Sequence, residues 1–471
     1  MSPQFIIIVV YVVIIVAIGL AAKKKTKSAS AFHGVGLGVA MCVAVGATEW
    51  LGGNSTTGVS EYGFVFGISG SWYTIANGIG IMFMALLFAK LYRSLETVTV
   101  PGIVEKYIGV KARVVASVLL TFVMIAVGTS QLVAAGTLGV AVLNVDYVYS
   151  VVVLGFIFIG YTLAGGMSSV MYTNIIHLIV SYAGIILALF LVMADVGGFS
   201  QMKTELPASY FSMTAIGTPR VASWIIASLL GACTAQAAIQ PLLAAKDVNV
   251  AKKAAIISAF VVAPFGIITA LLGMAAKIKF PGLANAKQAL PALMMNFNPV
   301  IGGIIIASIM AAVLSTISPI ILASGTMITK DIYQRVLRPK ATDAQVLLMS
   351  RITTAAAGLL CMIIAIMLYD SARLLDIVYF AYTLRGSMFV VLLLGIYWKQ
   401  TSQSGAVIGM LFTAVVGFAW VGFRAFTGSY PIHPQFNETY ISIIVALIAT
   451  VIFSLLIKNK PQSLQGGKSP N

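Results

Sequence analysis

The sequence predicts an all-α polytopic membrane protein of about 13 transmembrane helices, and three observations carry that prediction. Hydrophobic residues make up 60% of the chain and charged residues 9%, a balance that would demand a core no soluble domain of this size possesses. The apolar residues gather into runs of about 20 or more, the length that crosses a bilayer as a helix. The basic residues lie in the short connections between those runs: 21 of the 29 lysines and arginines fall on one side and 7 on the other, the asymmetry of the positive-inside rule.

The first run, residues 5–21, has no basic residue before it and Lys23, Lys24, Lys25 and Lys27 after it. A cleaved signal peptide has the opposite polarity, so a retained helix with its N-terminus outside is expected. Further spans centre near Val45, Ile81, Ile125, Leu154, Ile185, Ala232, Val262, Ile309, Ala357, Met388, Ala414 and Ile448. An odd number places the C-terminus in the cytoplasm and the protein in the plasma (inner) membrane, ending in a short polar tail at residues 458–471. One integrated bundle is expected rather than separate domains.

Composition also excludes function classes. The net charge of +16 sits in short loops and not on a groove-reading basic face, so no nucleic-acid partner is expected. Cys42, Cys233 and Cys361 fall inside apolar segments with no CxxC pair or metal spacing, so no disulfide framework is expected. There is no P-loop, which leaves no visible route for ATP to drive the chain. His33, His177 and His433 are far apart and not paired with acids, which argues against a membrane-embedded enzyme. A channel would need rings of charge or carbonyl filters. A transporter-like sensor that binds without uphill transport stays open, although no signalling domain follows the last span.

The chemistry-bearing residues lie within the spans. Ser315 and Thr316 sit in the apolar run 303–327, where a hydroxyl pair bonds back to its own helix or meets a polar partner. Hydroxyl and carbonyl oxygens suit hard cations. In the second span, GATEWLGGNSTTG would make a poor uninterrupted helix. Such glycine-broken segments mark transporter binding sites or allow close helix packing. Glu49 within it is a carboxylate at membrane depth, which is costly and a functional candidate by default. Arg385, in YTLRGSMF, would clamp a carboxylate, pair with Asp376, or snorkel along its helix. Trp50 and Trp72 would attract an ammonium group or serve as packing and interfacial residues. His177 is read as a polar interface residue.

The string AAVLSTISPIILASGTMITKDIY (residues 311–333) resembles the eighth core helix of the sodium:solute symporter family. GATEWLGGNSTTG, TVPGIVEKYIG (99–109), YTLAGGMSSVMYTN (161–174), IQPLLAAKDVNVAKKA (239–254) and LLLGIYWK (392–399) agree with that family in order, so the resemblance covers nearly the whole chain. It implies a leucine-transporter-like fold: a 5+5 inverted-repeat core with broken first and sixth core helices. On this chain the first repeat would run over 32–195 and the second over 221–399. An N-terminal extra helix and basic loop (1–31) would precede them, and two C-terminal helices (400–457) and the tail would follow.

The resemblance further implies Na+ as the coupling ion and a small-molecule solute as the cargo, with no obligatory protein partner beyond the bilayer. The sodium ligands would be the carbonyls of Cys42, Val45 and Ala312 and the side chains of Ser315 and Thr316. A second sodium in some members uses an acid where this chain has Asn174, and a hydroxyl where it has Pro319, with only Ser318 retained, so one sodium per cycle is expected. Solute contacts would fall on Thr48, Glu49 and Trp50, on Ser71, Trp72 and Thr74, and on Gly231, Thr234 and Gln236, with Arg385 added from its charge. Gly231 and Ala232 replace the bulky aromatic pair of the sugar-transporting members, which argues against a sugar. A zwitterion, amine or amino acid is favoured, with a monocarboxylate as the alternative if Arg385 alone faces the cavity.

Overall fold

The computed structural model describes residues 3–23, 36–370 and 373–458. Lys24, Lys25, Lys27, His33 and the tail beyond residue 458 lie outside the described residues. The helices run in chain order as α1 (Pro3–Lys23), α2 (Val39–Thr48), α3 (Val59–Phe66), α4 (Trp72–Leu87), α5 (Ala89–Ser94), α6 (Val100–Tyr107) and α7 (Val110–Leu143). They continue as α8 (Tyr147–Asp195), α9 (Gly198–Glu205), α10 (Thr218–Gly231), α11 (Gln236–Leu243), α12 (Val248–Val262) and α13 (Phe265–Lys279). The last six are α14 (Ala289–Met295), α15 (Pro299–Met327), α16 (Asp343–Leu368), α17 (Leu374–Tyr397), α18 (Gln403–Thr427) and α19 (Glu438–Leu456). Side-chain caps set several starts, as where Asp247 accepts from the Val250 amide and Ser402 from the Gly405 amide, satisfying donors that a helix N-terminus leaves free.

Among the described residues ten helices are long and apolar enough to cross a membrane, or eleven when α10 and α11 are joined as one bent span. The expected thirteen is therefore not reached by this measure. α1 (Pro3–Lys23) is an apolar helix of 21 residues outside that count, and α2 is only 10 residues long. α2 is short because the second span stops at Thr48 and residues 49–53 turn before the chain resumes at Asn54.

That division is the first break. Regular α2 stops at Thr48, residues 49–53 turn, and the chain resumes as a wide turn (Asn54–Gly58) leading into α3. Glycine is required here by close approach. A Cβ on Gly52 would lie 2.4 Å from both Gln131 Oε1 and Thr316 Oγ1, and one on Gly53 would lie 2.3 Å from Ala134 Cβ. The Gly53 amide instead donates to Gln131 Oε1 at 2.6 Å, so a side chain on α7 satisfies a backbone group that the break set free. The second break follows α10, where a single turn (Ala232–Thr234) leads to Ala235 and then to α11, bent by 40°.

α15 is the most enclosed span and packs on α7, α8, α16 and α1. α8 is two spans, Tyr147–Ala164 and Val170–Asp195, turned at Gly166 with φ 56°, a conformation that favours glycine. The two ends of the bundle are fastened differently. At one, Leu37 exchanges two backbone bonds with Ala244 and Lys246, both 2.9 Å, and Arg93 Nε donates to the Ala245 carbonyl at 2.7 Å. At the other, Asp376 accepts from the Tyr62 hydroxyl at 2.6 Å and pairs with Arg220.

Candidate functional site

Two clusters of buried polar groups meet where α2 ends. The first lies between α2 and α15. Ser315 Oγ donates to the Ala312 carbonyl at 2.8 Å; Thr316 Oγ1 donates to the same carbonyl at 3.0 Å and to the Thr48 carbonyl across the helix interface. Both hydroxyls thus bond back along their own helix, but Thr316 also ties α15 to the break. Thr48 Oγ1 reaches the Ala44 carbonyl at 2.6 Å and the Val45 carbonyl at 3.2 Å. Cys42 is fully buried and turns its thiol to the Pro241 carbonyl at 3.3 Å. Asn174, on the Val170–Asp195 span, donates through Nδ2 to Thr48 Oγ1 at 2.8 Å and to the Ser315 carbonyl at 2.9 Å. The donor set is neutral oxygen throughout. Among the described residues no three His, Cys, Asp or Glu side chains gather to hold a metal; hydroxyl and carbonyl oxygens of this kind suit hard cations.

The second cluster is charged. Glu49 and Arg385, both with fully buried side chains, pair at 3.2 Å between Oε1 and Nη1. The guanidinium lies over Tyr382, 4.1 Å from the ring centre, and beside Trp50 at 4.8 Å. Trp50 meets Tyr382 edge-on at 5.6 Å, and the hydroxyls of Tyr382 and Tyr73 share a hydrogen bond of 3.1 Å. Tyr379 stacks on Trp224 at 4.2 Å, closing this cluster toward Asp376. Glu49 Oε2 and the Nε and Nη2 groups of Arg385 have no hydrogen-bond partner in the protein. A carboxylate and a guanidinium have far more bonding capacity than one shared contact uses, so each holds a free edge in a dry environment where charge interactions are strong.

The structure brings together only part of the expected solute set. Glu49, Trp50 and Arg385 converge, and Gly231 borders them: a Cβ there would lie 3.3 Å from Arg385 Nε. Thr234 is adjacent but spends its hydroxyl on the Arg385 carbonyl at 2.6 Å. Gln236 turns away, accepting from the Val100 amide at 2.7 Å and donating to the Val98 carbonyl at 3.2 Å. Ser71 bonds locally to the Ile68 carbonyl, and Thr74 is shared between the Ala263 carbonyl and the Gly266 amide. The Trp72 indole donates to the Met213 carbonyl near the Asp376 end. Tyr73, between Trp72 and Thr74, is the α4 residue that joins the cluster. Each helical residue turns the side chain by about 100°, and the tight turn at Gly67–Ser71 sets where α4 begins, which local sequence does not reveal. Tyr382 carried a usable signal: it stands three residues before Arg385, on the same helix face. Arg385 does not pair with Asp376. His177 Nδ1 and the Tyr11 hydroxyl share a hydrogen bond of 2.5 Å, which joins α8 to α1.

Comparison with known proteins agrees with this architecture. The model of the sodium:solute symporter family matches residues 31–413. The chain is 26% identical over 436 residues to the osmoregulated proline transporter OpuE of Bacillus subtilis, covering 88% of this chain and 86% of that one. It is 24% identical over 437 residues to the sodium/glucose cotransporter of Vibrio parahaemolyticus, covering 85% and 79%. A Na+-coupled sialic acid symporter, solved substrate-bound and outward-open, superposes with a TM-score of 0.80 at 20% identity over 97% of this chain and 98% of that one. A second neighbour, MhsT in complex with L-phenylalanine, has a TM-score of 0.59 at 15% identity over 89% of this chain and 99% of that one. The fold is thus the leucine-transporter-like core with its first and sixth helices broken, and Na+ is the coupling ion. The chain belongs to the sodium:solute symporter family, a family of transporters.

Proposed function

We propose that this protein couples the entry of one sodium ion to the uptake of a small zwitterionic solute of the amino-acid or betaine type. The observation that carries the reading is the buried Glu49–Arg385 pair, joined by a single contact and edged by unpartnered groups. A zwitterion presents the complement of both: its carboxylate takes the place of Glu49 on the guanidinium and engages the free Nε and Nη2 edge as well, and its cationic nitrogen meets the freed carboxylate and the faces of Trp50 and Tyr382. The pair then separates without leaving a charge alone in a dry site, which is the expensive outcome. The proline transporters among the relatives are consistent with such a solute.

Sodium would be held by the carbonyls of Cys42, Val45 and Ala312 and by the hydroxyls of Ser315 and Thr316. Asn174 presents amide hydrogens to Thr48 and to the Ser315 carbonyl, where an acid would supply negative charge for a second ion, which supports a stoichiometry of one. A cation between α2 and α15 draws the break against the scaffold and organises Glu49, one residue past Thr48, so the two ligands favour the same state. With the N-terminus outside, the Asp376 end faces the exterior and the Arg93 end the cytoplasm. Release inward then requires the Leu37 and Arg93 contacts to part. One charge moving down 100 mV supplies about 2.3 kcal/mol, roughly forty-fold accumulation at 1.4 kcal/mol per decade.

The test is uptake into proteoliposomes under an imposed sodium gradient, with labelled zwitterions, amines and monocarboxylates. Zwitterion accumulation that stops when potassium replaces sodium is the expected result. Accumulation of a monocarboxylate alone would transfer the role to Arg385 without Glu49, and sodium-dependent binding without accumulation would indicate a sensor.

A further inference from the structure

Beside the charged pair lies a set of neutral polar groups that neither the sodium cluster nor the pair uses. Both amide atoms of Asn77 are buried with no hydrogen-bond partner, and no bond of normal geometry reaches Asn54 or Ser228 either, Asn54 having only a looser contact with the Tyr73 hydroxyl and Ser228 with the Tyr379 hydroxyl. Buried amides without partners are rare in folded proteins and costly, so a cluster of them calls for a ligand.

Their positions say which ligand. Asn77 is bracketed on one face of α4 by Tyr73 and Ile81, four residues away on either side. Tyr73 touches Tyr382 and has Asn54, Glu49 and Arg385 among its neighbours. Ile81 lies beneath Trp50 and Ala232. Asn77 therefore sits at the level of the two breaks. Next to it, a Cβ on Gly80 would lie 2.2 Å from the Ser228 carbonyl, so α4 and α10 meet backbone to backbone and hold Asn77 and Ser228 in place. The charges that Tyr73 faces are Glu49 and Arg385, and the rest of this wall is neutral donor and acceptor.

We infer that the solute carries an uncharged polar side chain, an amide or hydroxyl of the glutamine, asparagine, serine or threonine kind, which Asn54 and Asn77 bind while Glu49 and Arg385 take its charged backbone groups. This rests on the zwitterion reading above. A site with buried amides pays heavily for an apolar side chain, which leaves those groups unmet, whereas a polar side chain satisfies donor and acceptor together. An apolar solute of the same volume is thereby excluded more strongly than its shape alone would require.

The experiment is a thermal-shift and competition series on the full chain in lipid nanodiscs and sodium buffer. The probes are glutamine, serine, leucine, proline, glycine betaine, a simple monocarboxylate and a simple amine. Glutamine or serine is expected to bind at least ten-fold more tightly than leucine or proline. Asn77→Leu is expected to remove or reverse that ranking while the stabilisation by sodium alone is kept. Asn77→Ser, which retains one hydrogen-bonding group, should keep part of the preference and serves where the leucine variant does not fold. Leucine, proline or betaine binding as tightly as glutamine and serine to the unaltered protein would overturn the inference and leave the zwitterion reading standing. Binding of the monocarboxylate or the amine with no zwitterion bound would overturn both.

Discussion

The two clusters at the end of α2 differ in how they are built. The cluster between α2 and α15 uses main-chain carbonyls and short hydroxyls that already bond to one another, so its atoms are placed by the helices themselves. The cluster between the breaks and α17 uses long charged and aromatic side chains drawn from positions 49, 50, 73, 382 and 385, placed only by packing. A small ion needs oxygens at fixed positions and little else. A solute needs a cavity whose charges are balanced when it is absent, and the role proposed for the Glu49–Arg385 pair rests on its single shared contact and its unpartnered edges. The first cluster is therefore neutral and bonded within its helices, and the second is charged and joined by a single side-chain contact.

The largest effect is expected where the second cluster is broken. Arg385→Met leaves Glu49 buried without its partner, which costs about 3–5 kcal/mol for an ion pair of this kind. The double variant Glu49→Gln with Arg385→Met should recover much of that stability without recovering transport. Chemical denaturation of Arg385→Met, of Glu49→Gln alone and of the double variant checks this, and additive losses would show that the two side chains are not coupled. Next in size, Ser315→Ala or Thr316→Ala removes one cluster oxygen. Each should raise the sodium concentration needed for half-maximal uptake at least ten-fold while leaving solute affinity at saturating sodium within about three-fold, a selectivity worth roughly 1.4 kcal/mol. Unchanged sodium dependence in both variants would remove the cation assignment from the first cluster.

Smaller effects sharpen the boundary of the second cluster. Tyr73→Phe deletes the hydroxyl shared with Tyr382 and should weaken solute binding by about 1 kcal/mol, whereas Trp72→Phe, which alters only the contact to Met213, should leave it unchanged. Equal effects would restore Trp72 to the site.

The smallest effect lies far from both clusters. Burial opposes ionisation of Glu105 on α6, but hydrogen bonds and charge from Arg335 and Arg113 outweigh it and hold its carboxyl below the usual carboxylate range. A pKa lowered by folding contributes stability above the ordinary value and loses it as the pH falls through the lowered one. Glu105→Gln should therefore lower stability by about 1 kcal/mol or less at neutral pH. The gap to the unaltered protein should close only in acid, which melting curves across pH would follow.

How much was legible follows from the same contrast. Ser315 and Thr316 could be found because a hydroxyl pair in a long apolar run is unusual at the level of sequence, and Glu49 and Arg385 because each is a charge inside a span. That the two charges face each other was not legible. They are separated by more than three hundred positions, and Asp376 stood much nearer to Arg385 in the chain. Trp72, Thr74 and Gln236 bond away from the charged pair, to Met213, to Ala263 and Gly266, and to Val98 and Val100, for a related reason. A helix shifted by one residue turns a different side chain inward, and the shift was set by a tight turn and by contacts from other helices.

The sequence by itself determined that this chain lives in a bilayer, that its second span is broken, and that polar chemistry is concentrated at a few depths within apolar helices. These follow from the cost of placing polar groups and uncapped backbone in hydrocarbon, a cost read residue by residue. Only the tertiary structure decided which of those groups share a site. Helix breaks free the backbone to approach other helices, and which side chains then converge depends on rotations and crossings fixed by packing over the whole bundle.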